Sequence, residues 1–254
     1  MKPLRLYSIA LFVLFICAWQ WLGSSMSELV LPTPSVVFPL LWNGLSNGYF
    51  TPHIVQTALE VVFGLLIGSI FGVAMGVLMA EIQWLGRVLS PYIIASQAVP
   101  KLALAPLFVL WFGFGMTSKI IITALICFFP LLEATMTAIR QTNKDKQNLF
   151  RVLQASRWQT LIYLKIPEGI PGIMSGFRVA VILALVGAVV GEFIGANKGL
   201  GALIIASQGM MDTPLMFAVL ILLTAFGMLL YGVVNLVEKR LLKKYLYHGE
   251  KDDE

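Results

Sequence analysis

Five charged residues stand inside long apolar stretches of this 254-residue chain: Glu60, Lys101, Glu133, Arg178 and Glu192. A charge at such depth is costly, so it faces a protein interior or an aqueous path rather than lipid. Near an interface the longer side chains can instead snorkel toward water. Three carboxylates and two cations could relay ions or line a passage for a polar solute. Uncharged polar residues share these stretches. Ser96 and Gln97 stand just before Pro100, and Ser175 precedes Arg178 by three residues, which places that pair on one face of a helix. Other chemistry lacks its residues. There is no G-x-x-x-x-G-K-[ST] phosphate loop, no H-E-x-x-H, no C-x-x-C and no G-x-S-x-G elbow. His53 and His248 fall in a loop and a tail, and Cys17 and Cys127 lie in apolar runs as small buried hydrophobes. No catalytic centre and no metal site are expected.

Apolar spans must position these groups. The chain is 58% hydrophobic and only 12% charged, too few charges to cover a soluble surface. The expectation is an all-α integral membrane protein, one domain over 1–254. At about 20 apolar residues per span, six spans are expected: Leu4–Leu22, Val55–Ala80, Leu89–Phe112, Ile120–Ile139, Ile170–Ile194 and Leu215–Leu236. The third is interrupted by Pro91, Pro100 and Pro106. No small-x-small cleavage site follows the first span, so it is expected to remain as a helix and not be removed as a signal peptide.

Charge orients the spans. All of the 18 Lys and Arg except Lys101, Lys119, Arg178 and Lys198 fall on one side, and the segment 23–53 has none. Both termini are therefore expected in the cytoplasm. The net charge of +5 reports this topology, not an anionic substrate or nucleic acid as a partner. Small residues four apart, at Gly64, Gly68, Gly72 and Gly76, at Gly172, Gly176, Ala180, Ala184 and Ala188, and at Gly187, Gly191 and Gly195, allow close helix approach. Ladders of this kind serve either packing within the chain or a surface where helices slide or meet a second copy.

The connection over about 141–167 is the longest basic loop. It has helical composition broken at Ala155-Ser156-Arg157-Trp158, which predicts two short helices meeting at a bend, the second stopped by Pro167, with Pro171 in the first turn of the next span. Its polar residues form no clean basic face, so it reads as a docking surface for a cytoplasmic partner better than as a membrane-surface helix.

At "ASRWQTLIYLKIPEGIPGIMSGFRVA" (155–180) the chain resembles permease subunits of binding-protein-dependent ABC importers. "LPTPSVVF" (31–38), "VPKLALAPLFVLWFGFG" (99–115), "FFPLL" (128–132) and "GEFIGANKGLG" (191–201) resemble the branch that handles sulfonates, taurine, nitrate or bicarbonate, and thiamine pyrimidine precursors. The resemblance covers about 31–245. It implies a type I importer fold, with six spans, a cytoplasmic coupling helix and a place in the cell (inner) membrane. It further implies a second copy of the chain, two ATPase subunits that supply ATP and Mg, and an extracytoplasmic binding protein. No cofactor is implied in this chain. Gln154, Ala155, Ser156, Arg157 and Trp158 would couple to the ATPase. Glu60, Ser96, Gln97, Ser175 and Glu192 would belong to the translocation path. The sequence departs from the family at Asn148, Leu149 and Phe150, where Glu-Ala-Ala is usual, and at Gln154, where Gly is usual. Glu60 replaces a common Arg, and Glu133 a common Asn. From the residues alone, an ion-coupled secondary transporter or a membrane scaffold remains an alternative.

Overall fold

In the computed structural model of the protein, residues 2–246 are described; His248 and Lys251 of the charged tail lie outside them. Every regular element among them is helical. The order is α1 (Lys2–Ser24), α2 (Pro34–Ser46), α3 (Thr51–Glu81), α4 (Gln83–Ala98), α5 (Ala105–Phe112), α6 (Met116–Arg140), α7 (Lys144–Val152), α8 (Arg157–Thr160), α9 (Ile166–Phe193), α10 (Leu200–Gly209) and α11 (Thr213–Leu246). Among the described residues four helices are long and apolar enough to cross a membrane, or five if the bent α4–α5 pair counts as one. α1 contributes an apolar stretch over Ile9–Ser24.

The small-residue ladders pack the centre of the bundle. Gly64, Gly68, Gly72 and Gly76 of α3 lie directly on α6: a Cβ at Gly72 would sit 2.7 Å from Phe128 O and 3.0 Å from Leu131 Cβ. On α9, Gly172 and Gly176 meet Ala138 and Ala134 of α6, and Gly187 and Gly191 meet Thr123 and Lys119. Val61, Cys127, Leu131, Ala180, Ala184 and Ala188 fill the seam between the three helices. Of the two uses open to these ladders, the structure shows packing within the chain. Dispersion between closely apposed backbones holds this core, because lipid leaves little hydrophobic drive between helices.

Four expectations need correction. The third span breaks at only one of its three prolines, Pro100, where α4 and the segment Lys101–Phe112 meet at 80°; Pro91 lies inside α4 and Pro106 in the first turn of α5. Pro100 lacks an N–H and drives Val99 to extended backbone (φ −69°, ψ 126°), so the helix ends there. Pro167 does not stop a helix. Residues Arg157–Phe193 form one 37-residue rod. A π-turn over Leu161–Lys165, in which Ile166 N–H reaches back to Leu161 O, widens the backbone just before the proline ring. Pro171 consequently lies inside α9 and not in its first turn. Cys17 is exposed rather than buried, because α1 runs along the outside of the bundle with Phe12, Phe15 and Trp21 turned outward; Cys127 is buried. Two helices, α2 and α10, lie where no span is expected, since both are too short to cross a bilayer. α2 opens with Thr33 and Pro34, residues suited to the cap and first turn. α10 packs against α11, and α11 against α2, in a shared core of Leu200, Leu203, Ile204, Val37, Ala218 and Val219.

Candidate functional site: a polar groove, a buried clamp and a capped bend

Three polar constellations lie along the α3–α6–α9 core. The first is an open groove between α6 and α9, with Glu133, Thr137, Gln141 and Ser175 among its lining residues. Gln97 reaches in from the end of α4, its Nε2 donating to Glu133 Oε2 at 3.4 Å. The α4–α5 break at Pro100 is what brings the end of α4 over this groove. Ser96 turns back on its own helix and donates to Ile93 O at 2.7 Å. Lys101 Nζ stands 4.0 Å above the Phe129 ring, a cation–π contact that lets a charge rest against an apolar wall. Arg178 leaves the groove and pairs with Glu238 of α11, Nε to Oε2 at 3.3 Å.

The second is a clamp at the opposite end of the bundle from the 141–167 loop. Glu60 is 0% exposed and Glu192 1%. Glu192 Oε1 accepts from Thr57 Oγ1 at 2.6 Å, and its Oε2 accepts from Gly201 N at 2.6 Å. Thr57 Oγ1 in turn accepts from Leu200 N at 2.9 Å. His53 Nδ1 lies 3.2 Å from Gly199 N and 3.0 Å from Gly199 O. The first turn of α10, whose N–H groups have no partners within the helix, is thus tied to α3. Gly199 is required here: its φ is +127°, and a Cβ would strike the Glu192 carboxylate. Glu60 Oε1 accepts from Gln56 Nε2 at 2.7 Å and lies 3.6 Å from buried Lys119 Nζ. The paired cation offsets the desolvation of a carboxylate inside the bundle.

The third is the bend between α7 and α8. Asn143 caps α7, its Oδ1 accepting from Asp145 N at 2.7 Å. α7 stops with Gln154 N donating to Arg151 O and Ala155 N to Phe150 O, both at 3.0 Å. That is the Schellman pattern, with Gln154 in the left-handed position at φ 54°. One residue later Ser156 starts the next helix with a capping box: Gln159 N donates to Ser156 Oγ at 3.2 Å and Ser156 N to Gln159 Oε1 at 2.7 Å. The bend is tied to the core by Lys165 Nζ on Glu81 Oε1 at 2.6 Å and by Lys146 Nζ on Glu168 Oε1 at 3.0 Å. Val152 (79% exposed), Leu153 and Trp158 (72%) project from it.

Residues 64–243 match the family described as "Binding-protein-dependent transport system inner membrane component". The chain belongs to this family. It is a permease subunit of an ABC importer: a multi-pass membrane chain whose family works with an ATPase that is a separate subunit and with a binding protein. It is 38% identical to the riboflavin transport system permease protein RibX of Chloroflexus aurantiacus, over 91% of this chain and 87% of that one. It is 32% identical to the formylaminopyrimidine transport permease protein ThiX of Halalkalibacterium halodurans, over 91% and 92%. An inward-facing structure of the MetNI methionine ABC transporter superposes with a TM-score of 0.67 at 18% identity, over 76% of this chain and 95% of that one. That likeness is one of fold.

The fold gathers the site residues into separate groups. Gln97 and Ser175 share the groove, while Ser96 turns away from it. Glu60 and Glu192 belong to the clamp, and Gln154, Ala155, Ser156, Arg157 and Trp158 form the bend. Thr57, Lys119 and Gly201 of the clamp and Thr137 of the groove were not anticipated. The capping box was readable as Ser156-x-x-Gln159. Thr57 and Gly201 carry no local signal, since only tertiary contact joins them to Glu192.

Proposed function

We propose that two copies of this chain, each with six spans, form the passage of an importer for a small polar organic solute. Two ATPase subunits bind the 141–167 loops in the cytoplasm, where both termini also lie, and a binding protein delivers the solute on the other face. ATP and Mg belong to the ATPases; this chain holds no cofactor. Gln154, Ala155, Ser156, Arg157 and Trp158 are the ATPase-docking bend. Gln97 and Ser175 belong to the path, Ser96 holds the end of α4 beside it, and Glu60 and Glu192 hold its far end in shape from behind.

The observation that carries this reading is the bend at the head of the 37-residue rod. A docking element must be stiff to transmit force. This one is stopped, restarted and pinned by hydrogen bonds and ion pairs, yet exposes Val152, Leu153 and Trp158 to a partner. The rod below it carries Ser175 in the groove and ends at Glu192 in the clamp. Motion at the bend therefore reaches both constellations.

Trp158→Glu tests it in the complete transporter. Solute uptake and co-purification of the ATPase are expected to fall at least tenfold, about 1.4 kcal/mol or more of docking free energy. The variant chain should still insert and purify. Uptake at the wild-type rate would remove this bend from the coupling.

A further inference from the structure

Two hollows adjoin where the bend meets the end of α3. One is an apolar trough walled by Val77, Leu78, Ile82 and Leu161, with Arg157 and Trp158 completing its wall. The other is polar and includes Arg151, Lys165, Gln147 and Thr160 in its lining; Glu81 and Arg157 belong to both. The charges of the polar hollow do not cancel. Lys165 and Glu81 neutralise one another at 2.6 Å, and the neighbouring Lys146 and Glu168 do so at 3.0 Å. Among the described residues neither Arg151 nor Arg157 has an acid within ion-pair distance. Asp145 sits in the first turn of α7, at the opposite end of that helix from Arg151. The neutral side chains are already engaged, Gln147 donating to Thr142 O and Thr160 to Ser156 O. Two guanidinium groups therefore remain, each a planar fork that matches the oxygens of a phosphate.

Glu81 fixes the depth of this site. Residues 61–80, between Glu60 and Glu81, carry no charge, and the run is about as long as the 20 residues that cross a bilayer core. Glu81 and its partner Lys165 thus lie where acyl chains give way to headgroups, with Val77 and Leu78 about one turn deeper. Leu78 and Ile82 are exposed, so the trough opens toward lipid. Trp158 supplies the amphipathic ring that favours this boundary.

We propose that the joined hollows hold one anionic phospholipid, an acyl chain lying in the trough and the phosphate on Arg151 and Arg157. A soluble phosphate or an acidic peptide would account for the two arginines but not for the apolar half; a lipid accounts for both. Basic hollows beside membrane-spanning helices are suited to such headgroups. Arg151 belongs to α7 and Arg157 to α8, so the headgroup bridges the two arms of the bend. It adds a tie to those made by Lys146 and Lys165, and the shape of the bend comes to depend on the lipid around it.

The test counts lipids. The complete transporter, permease and ATPase together, is stripped of lipid in detergent and offered phosphatidylglycerol or phosphatidylcholine of the same chain length. Native mass spectrometry then reads what is retained. Phosphatidylglycerol is expected to be held about tenfold more tightly than phosphatidylcholine. Arg151→Gln should weaken that retention about fivefold, the effect of one basic residue on an anionic headgroup. Arg151 is exposed and makes no ion pair among the described residues, so the variant keeps the fold. An excess of glycerol phosphate, which has the headgroup charge and no chain, should not displace the lipid. Equal retention of the two lipids, retention unchanged in Arg151→Gln, or displacement by glycerol phosphate would overturn the proposal. Retention by the permease alone that disappears once the ATPase is bound would give the two arginines to the ATPase and overturn it as well.

Discussion

At the scale of single residues, Glu192 is the anchor of the clamp. Its two oxygens satisfy the Thr57 hydroxyl and the Gly201 N–H, both out of reach of water. Removing the carboxylate leaves two buried donors without an acceptor, and each such orphan costs about 1–3 kcal/mol. Glu192→Ala is therefore expected to lower the thermal stability of the detergent-purified chain clearly. Thr57→Val removes one of the same donors, so the two changes should be non-additive by about 1 kcal/mol or more in a double-mutant cycle. Additive effects would show that the two residues do not share a bond. Glu60 and Glu192 were legible as buried acids because they interrupt apolar runs. Their partners were not, because Thr57 and Gly201 are ordinary residues of two different helices, 144 positions apart, until the fold closes.

Among the elements, α3 and α6 define the packing, and the spacing of four in Gly64, Gly68, Gly72 and Gly76 announced it. The spacing could not say which helix would fill the furrow, since the facing row on α6, Thr123, Cys127 and Thr135, is broken by Leu131 and has no glycine. Gly72 now gives a sharp test. A Cβ there meets the backbone oxygen of Phe128 at 2.7 Å, and a backbone atom cannot swing aside as a side-chain tip can. Gly232, within α11, has open space around its Cβ position. Gly72→Ala should lower the melting temperature by forcing α3 and α6 apart. Gly232→Ala should leave it unchanged or raise it, because Ala is favoured over Gly inside a helix by about 1 kcal/mol. The same loss in both variants would mean that the packing of α3 on α6 does not set stability. The bend shows a second limit of the sequence. A break at Ala155–Trp158 was readable, but Pro167 read as a stop because proline usually ends a helix; the π-turn ahead of it has no composition of its own.

On the scale of the whole molecule, the basic bend and the buried clamp lie at opposite ends of one lever. α9 runs from the bend, with Arg157 and Lys165 near its head, past Ser175 in the groove, to Glu192 in the clamp. If the positive end faces the cytoplasm, as the bias of Lys and Arg requires, the clamp and the loop 194–199 face the other side, where a binding protein can reach them. Ser46 at the end of α2 is exposed and lies within the segment that has no Lys or Arg, whereas Lys144 opens α7 in the basic loop and is also exposed. In a Cys17→Ser background, Ser46→Cys should react with a membrane-impermeant thiol reagent added to intact cells. Lys144→Cys should react only after the membrane is opened. Insertion of the reverse topology would exchange the two results. That outcome would place the capped bend on the side where no ATPase could meet it, and the lever would then have to work from its clamp end.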